Sequence, residues 1–221
     1  MRYLGSKTAA AITNFWNRVR PDDTLVWEHP AFADDPPAEL VIPWSSHGDG
    51  VPTTKAGAGG MSLHVVSSSS LVGVGCTLDT HFLNWALPST IAVKRKPRGC
   101  LSSDPLWSVY VWDALACASG IHSYEDHEGV MFPPDSPRGL LAGTPIAGGY
   151  RLAHLYQRAD LDWHVNEMTN QHWSSHGCCF KCPANKSDCH TSSIKHSFYQ
   201  VDNLPTLSLW IPPTSRCINP H

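Results

Sequence analysis

Between Ala159 and His190 the chain concentrates side chains that can hold metal ions. Asp160 and Asp162 come first, where a strand-like run ends. Four of the eight cysteines and four of the thirteen histidines follow in the same stretch. Carboxylate oxygens suit hard cations such as Mg²⁺ and Mn²⁺, whereas thiolate and imidazole suit zinc. One short stretch thus carries ligands for two kinds of chemistry.

The cysteine half centres on Cys179-Phe180-Lys181-Cys182. A C-x-x-C spacing lets two thiolates occupy two corners of a zinc tetrahedron. Cys189 and His190 stand downstream, His172 and His176 upstream, and Cys178 is spare. The expected structural zinc set is Cys179 and Cys182 with partners from Cys189, His190 and His176. Reduced structural thiols are the alternative. A thioredoxin-like redox pair lacks its context, since no β-α-β unit opens a helix with the motif.

The carboxylate half has a counterpart upstream, in His47-Gly48-Asp49-Gly50-Val51-Pro52. Asp49 can serve as a metal ligand at a strand end, flanked by glycines that let ions or substrate approach closely. Asp-Gly is also a common turn dipeptide, and Asp160 or Asp162 could instead cap a following helix. Lys94, Arg95, Lys96 and Arg98 form one basic run. Such a run fits phosphate contact, nuclear import or a solvated loop. Ser, His and Asp are all present, but no G-x-S-x-G elbow frames them. Walker and dinucleotide glycine loops are absent too.

The elements that must position these residues follow from periodicity. Ile12, Phe15, Trp16 and Val19 predict a helix over 7–20, ended by Pro21. Residues 21–39 are rich in Pro and Asp and read as a linker. Strands are expected at Leu40 to Trp44 leading into residues 45–52, at Met61 to Ser67, and at His81 to Val93, interrupted by Pro88. Residues 103–119 form the clearest helix, with Ser103 or Asp104 as cap, Pro105 in the first turn and Gly120 as stop. It is apolar on nearly every side and should be buried. After an irregular join over 121–148, Tyr150 to Ala159 alternates as a strand, and Trp163 to Gln171 reads as helical. The order strand, strand, strand, helix, strand, helix is that of a ribonuclease H-like core. Its first and fourth strands would carry Asp49 and Asp160. Two divalent cations about 4 Å apart need such shared oxygen ligands.

Composition is consistent with this class. The 221 residues are 42% hydrophobic and 16% charged, with eighteen prolines and sixteen glycines for irregular joins. Net charge is −3, so the chain lacks the overall basic excess of a dedicated nucleic-acid binder. The first residues hold no apolar run for a signal peptide, and no stretch approaches the roughly 18 apolar residues of a membrane span. The expectation is a soluble intracellular, non-secreted protein without membrane partners, nuclear if the basic run acts as an import signal.

The motifs together resemble a known family. Asp49-Gly50-Val51-Pro52 followed by Lys55 is similar to the D-G-x-P-x-x-K segment near the first catalytic Asp of CACTA-type and related eukaryotic cut-and-paste transposases. Asp160, an aromatic stretch, and His176-Gly177-Cys178-Cys179-Phe180-Lys181-Cys182 resemble their second part. The pattern H-G-D-G-x-P…D-L-D…C-x-x-C-x-A-N, found in transposon-derived protist families, ends here in Cys182-Pro183-Ala184-Asn185. The resemblance spans roughly residues 40–190. It implies a ribonuclease H-like α/β fold and DNA cleavage and transfer with Mg²⁺ or Mn²⁺, the candidate catalytic acids being Asp49, Asp160 and Asp162. It also implies a zinc-stabilised insertion.

Such enzymes need a third carboxylate on a later helix. After Cys189 the only acid is Asp202, in a Pro-rich run, and Glu167 is expected to point elsewhere. The expectation is a partial or degenerate transposase, inactive or incomplete alone. The expected organisation is an N-terminal helix and linker (1–39), a core (40–171), a Cys/His-rich zinc-like segment (172–196) and an irregular tail (197–221). A non-catalytic, zinc-stabilised module that binds nucleic acid or protein is the competing reading.

Overall fold

The computed structural model describes residues 8–53, 61–94, 100–159, 163, 164 and 167. The first helix, α1, covers Thr8–Trp16. Ile12 and Trp16 are four residues apart, share one face and are both buried. The helix ends at Trp16, short of the expected Arg20. The Val19 N–H bonds back only to Trp16, a tightened last turn.

Residues 21–39, expected as a linker, are folded onto the core. They hold the short helix α2 (Thr24–Trp27) and single 3₁₀ turns at Pro30–Phe32 and Ala38–Leu40. The reason is aromatic. Trp16 stands edge-on to Phe32 at 4.9 Å between centroids and tilts over Trp27 at 5.9 Å. The proline at the head of the first turn pre-sets its geometry, and His29 Nδ1 accepts the Ala31 N–H at 3.0 Å.

Four strands form one mixed sheet: β1 (Val41–Pro52), β2 (Ser62–Ser70), β3 (His81–Pro88) and β4 (Arg151–Ala159). Their order is β3-β2-β1-β4. β1 runs antiparallel to β2, β2 antiparallel to β3, and β1 parallel to β4. A one-turn helix, α3 (Thr77–Thr80), precedes β3. β3 stops at Pro88, short of the expected Val93. A parallel pair needs a long crossover. Helix α4 (Asp104–Ser119) and the join after it supply that crossover. Gly120 closes α4 in the left-handed region, φ +70°, with its N–H on the Ala116 carbonyl. Ser103 does not cap through its side chain; its Oγ donates to the Cys100 carbonyl at 2.8 Å.

Two clusters bury the sheet. Ile12, Trp16, Ala31, Val41, Ala118, Ala153 and Leu155 form the larger. Trp16 Nε1 satisfies itself there on the Val41 carbonyl at 2.7 Å. Val66, Trp107 and Trp163 form the second, with Trp85, Tyr110 and Ala159 against them. The expectation of a fully buried α4 is corrected. Trp107 and Ala118 are buried, but Val109 and Leu115 are 42% and 41% exposed, because the sheet covers only one side of the helix. The join contains α5 (Pro137–Leu141) and a 3₁₀ turn at Ile146–Gly148. The mixed sheet with helices is an α/β fold, as expected. The Cys/His-rich segment 172–196 and the tail 197–221 lie outside the described residues. Among the described residues, no helix is long and apolar enough to cross a membrane.

Candidate functional site

The candidate site lies at the C-terminal end of the parallel pair β1 and β4, at one edge of the sheet. β1 and β4 run side by side, and the last described pair is Gly48 opposite Ala159. The next residue of β1 is Asp49, which is exposed. Asp160 and Asp162, the next acids after β4, lie outside the described residues, and so does the proposed zinc set of His176, Cys179, Cys182, Cys189 and His190. Of the basic run, Lys94 is described and exposed; Arg95, Lys96 and Arg98 are outside. Among the described residues, no group of three His, Cys, Asp or Glu side chains gathers closely enough for a metal ion.

The two faces of β1 differ at this end. Alternation puts Ser45, His47 and Asp49 on one face. His47 is exposed and stands opposite Arg158, whose guanidinium donates to Ser45 Oγ at 2.8 Å. A fixed cation therefore sits one strand over, held at the level of Ser45, four residues before Asp49.

The other face carries Gly48 and Gly50, and here the reason for the first glycine is structural. A Cβ on Gly48 would lie 2.2–2.5 Å from three ring atoms of Trp163. The missing side chain leaves the notch that Trp163 fills, so Gly48 serves packing and not the approach of an ion. Gly50 has nothing within 4 Å of a built Cβ. His64 faces it from β2. His64 Nδ1 lies 3.2 Å from Glu167 Oε1, both side chains largely buried. Burial pushes the Glu167 carboxyl up, against the lowering pull of His64 and then Lys94. Glu167 thus points to His64 on β2, the strand that pairs with β1. Lys94, close enough to act on Glu167, places the start of the basic run near this same end of the sheet.

A second polar group was not foreseen. Ser46 Oγ is 2.8 Å from His154 Nε2 and also bonds Gln157 Oε1. Strict alternation along β4 puts His154 and Gln157 on opposite faces. A bulge opposite Trp44 and Ser45, with Leu155 as the extra residue, brings both to Ser46. Tyr110 from α4 reaches Ser68 at 3.3 Å, which ties the helix to the same network. Burial, then the neighbouring His29, pushes the His154 imidazole down to about 4. A serine–histidine contact of this length resembles a nucleophile and its base. Ser46 is fully buried, however, so no substrate can reach it and the network is a core element. Its partners come from strands more than a hundred residues apart, and no local signal announces them.

No protein-family model matches the chain, and neither the curated proteins nor the solved structures include a significant match.

Proposed function

We propose that the chain carries a ribonuclease H-like nuclease core of transposase type. In this reading Asp49 and Asp160 hold divalent cations, with Asp162 as a further oxygen donor, for DNA strand cleavage and transfer. The observation that carries it is the register of β1 against β4. Gly48 faces Ala159, and Asp49 and Asp160 are the residues that follow each of them. Strand order β3-β2-β1-β4 with a helical crossover into the parallel strand supports the fold assignment.

The donor set fits the metal. Asp49, exposed at the sheet's end, and Asp160, which follows β4 in sequence, match the oxygen preference of Mg²⁺ or Mn²⁺. Bound there, two such ions would clamp the attacking and leaving oxygens of a phosphodiester. The chain's own part is to fix the carboxylates on adjacent strands and to hold the DNA backbone through Lys94, Arg95, Lys96 and Arg98. Cys179 and Cys182, with His176, Cys189 or His190, would hold a structural zinc in the segment that follows. With two acids assigned and no third assigned among the described residues, cleavage by this polypeptide alone is expected to be weak, so binding is the first test.

Mn²⁺ titration of the full chain, followed by electron paramagnetic resonance, should show binding that Asp49→Asn and Asp160→Asn each weaken by about tenfold, one lost carboxylate ligand each. Plasmid nicking in Mg²⁺ or Mn²⁺, with the same variants, tests residual cleavage. Mn²⁺ affinity unchanged in both variants would sink the reading.

A further inference from the structure

The crossover between α4 and β4 holds a surface that the nuclease reading does not use. Residues 104–149 contain six carboxylates and one arginine, a charge of −5, while the whole chain carries only −3. The remainder of the molecule is therefore net positive. The same stretch leaves large apolar side chains in water: Val109 and Leu115 on the outer side of α4, then Tyr124, Met131 and Leu140 from the join, the last three more than half exposed.

These groups are held in one rigid frame. Trp112, on the α4 face between Val109 and Leu115, donates its indole N–H to the Glu125 carbonyl at 2.9 Å. Phe132 stands edge-on to it at 6.4 Å, and the Arg138 guanidinium covers both rings at about 5.5 Å. Met131 adjoins Phe132 and pairs across from Glu125; Leu140 lies two residues beyond Arg138 on α5. The turn between is locked by Asp126, whose carboxylate accepts the N–H groups of Glu128 and Val130. The Phe132 N–H closes the frame on the Tyr124 carbonyl. A surface so fixed loses little entropy on binding. Around its apolar centre stand Asp113, Glu125, Glu128 and Asp135, all exposed.

We propose that this apolar platform with its carboxylate rim docks a protein partner that presents apolar side chains within a lysine- and arginine-rich surround. The charge decides among occupants. DNA and anionic lipid surfaces would meet repulsion. A second copy docked face to face would set the rim acids against their own counterparts. A cationic amphipathic segment meets attraction at the rim and burial at the centre.

The test uses the full chain and a fluorescent, helical leucine–lysine peptide as probe, with fluorescence anisotropy as readout. Binding should weaken by about tenfold in a Met131→Asp, Leu140→Asp variant and comparably in a Glu125→Lys, Glu128→Lys variant, losses typical of interface anchors. It should persist in Leu83→Asp, which alters an exposed apolar residue on β3 instead. Circular dichroism of each variant confirms the fold. Equal binding of a leucine–glutamate peptide would overturn the proposal, as would indifference to the platform variants. Binding of duplex DNA or phosphatidylserine vesicles that the platform variants abolish would also overturn it. So would self-association of the chain abolished by Met131→Asp.

Discussion

Gly48→Ala is the substitution whose outcome the structure specifies most closely. The added methyl would sit 2.2–2.5 Å from Cζ2, Cε2 and Cη2 of Trp163, more than about 1 Å inside van der Waals contact. Backbone on one side and a ring on the other leave one way out: the indole must leave its notch. Trp163 is only 4% exposed and packs with Val66 and Trp107. A tryptophan buries about 150–250 Å², worth about 4–6 kcal/mol at about 25 cal/mol per Å², an upper bound for complete release. Partial release, offset by the modest gain of alanine over glycine in a strand, gives about 3 kcal/mol of destabilisation. Gly50→Ala is the internal control, because nothing lies within 4 Å of its Cβ. It should be neutral, or stabilising by about 0.5 kcal/mol. In a Trp163→Ala background the clash is gone, so Gly48→Ala should cost close to nothing. The double-mutant cycle then returns a coupling of about 3 kcal/mol. Urea unfolding followed by far-ultraviolet circular dichroism measures all five proteins, wild type and four variants, without relying on the altered tryptophan. Gly48→Ala indistinguishable from Gly50→Ala would refute the argument, and so would additivity in the cycle.

Three further outcomes follow from the same structure. His154 is held neutral by burial at about 4 against an ordinary 6.5, so below pH 6.5 the unfolded chain takes up a proton that the folded chain refuses; stability should fall from about pH 6.5 to about pH 4, by about 3 kcal/mol for this group, and His154→Gln should flatten that part of the urea-midpoint profile. Burial, then Asp113, pushes the Cys117 thiol up to about 11, so native alkylation at pH 8, mapped by mass spectrometry, should modify exposed Cys76 and spare Cys117 until urea is added. The zinc proposal expects about one zinc per chain by atomic absorption, lost in Cys179→Ser, and a chain that folds equally well after chelation would remove it.

Much of the architecture could be read along the chain, because it depends on local pattern. The helix over Asp104–Ser119 announced itself through Pro105 and Gly120, and the strand ending at Ala159 through alternation. Readings failed where distant residues decide. Residues 21–39 look like a linker by composition, yet Trp27, Ala31 and Phe32 pack against α1 and fold the stretch. Apolar residues all round α4 suggested burial, although an apolar outer face is equally what a docking surface requires. Gly48 looked like a space for ions, and only the position of Trp163, more than a hundred residues later, gives it a packing role.

The bulge in β4 is the most consequential feature that alternation could not reveal. Trp44 faces His154, but Ser45 faces Tyr156, and Leu155 is left over. Without that extra residue, Asp49 would continue the ladder against Ala159, and Asp160 would fall in line with Gly50. Successive residues of a strand point to opposite faces, so the two carboxylates would then diverge. With it, Gly48 meets Ala159, and Asp49 and Asp160 are the residues that follow them in sequence, the register the proposed pairing requires. The same residue brings Gln157 alongside His154 on Ser46, deep in the sheet. The polar network in the core and the proposed pairing of acids at the sheet's end are thus two consequences of one inserted residue. The buried network gives the shifted register its anchor: sliding β4 back by one would strip Ser46 of Gln157 in a site that water does not reach.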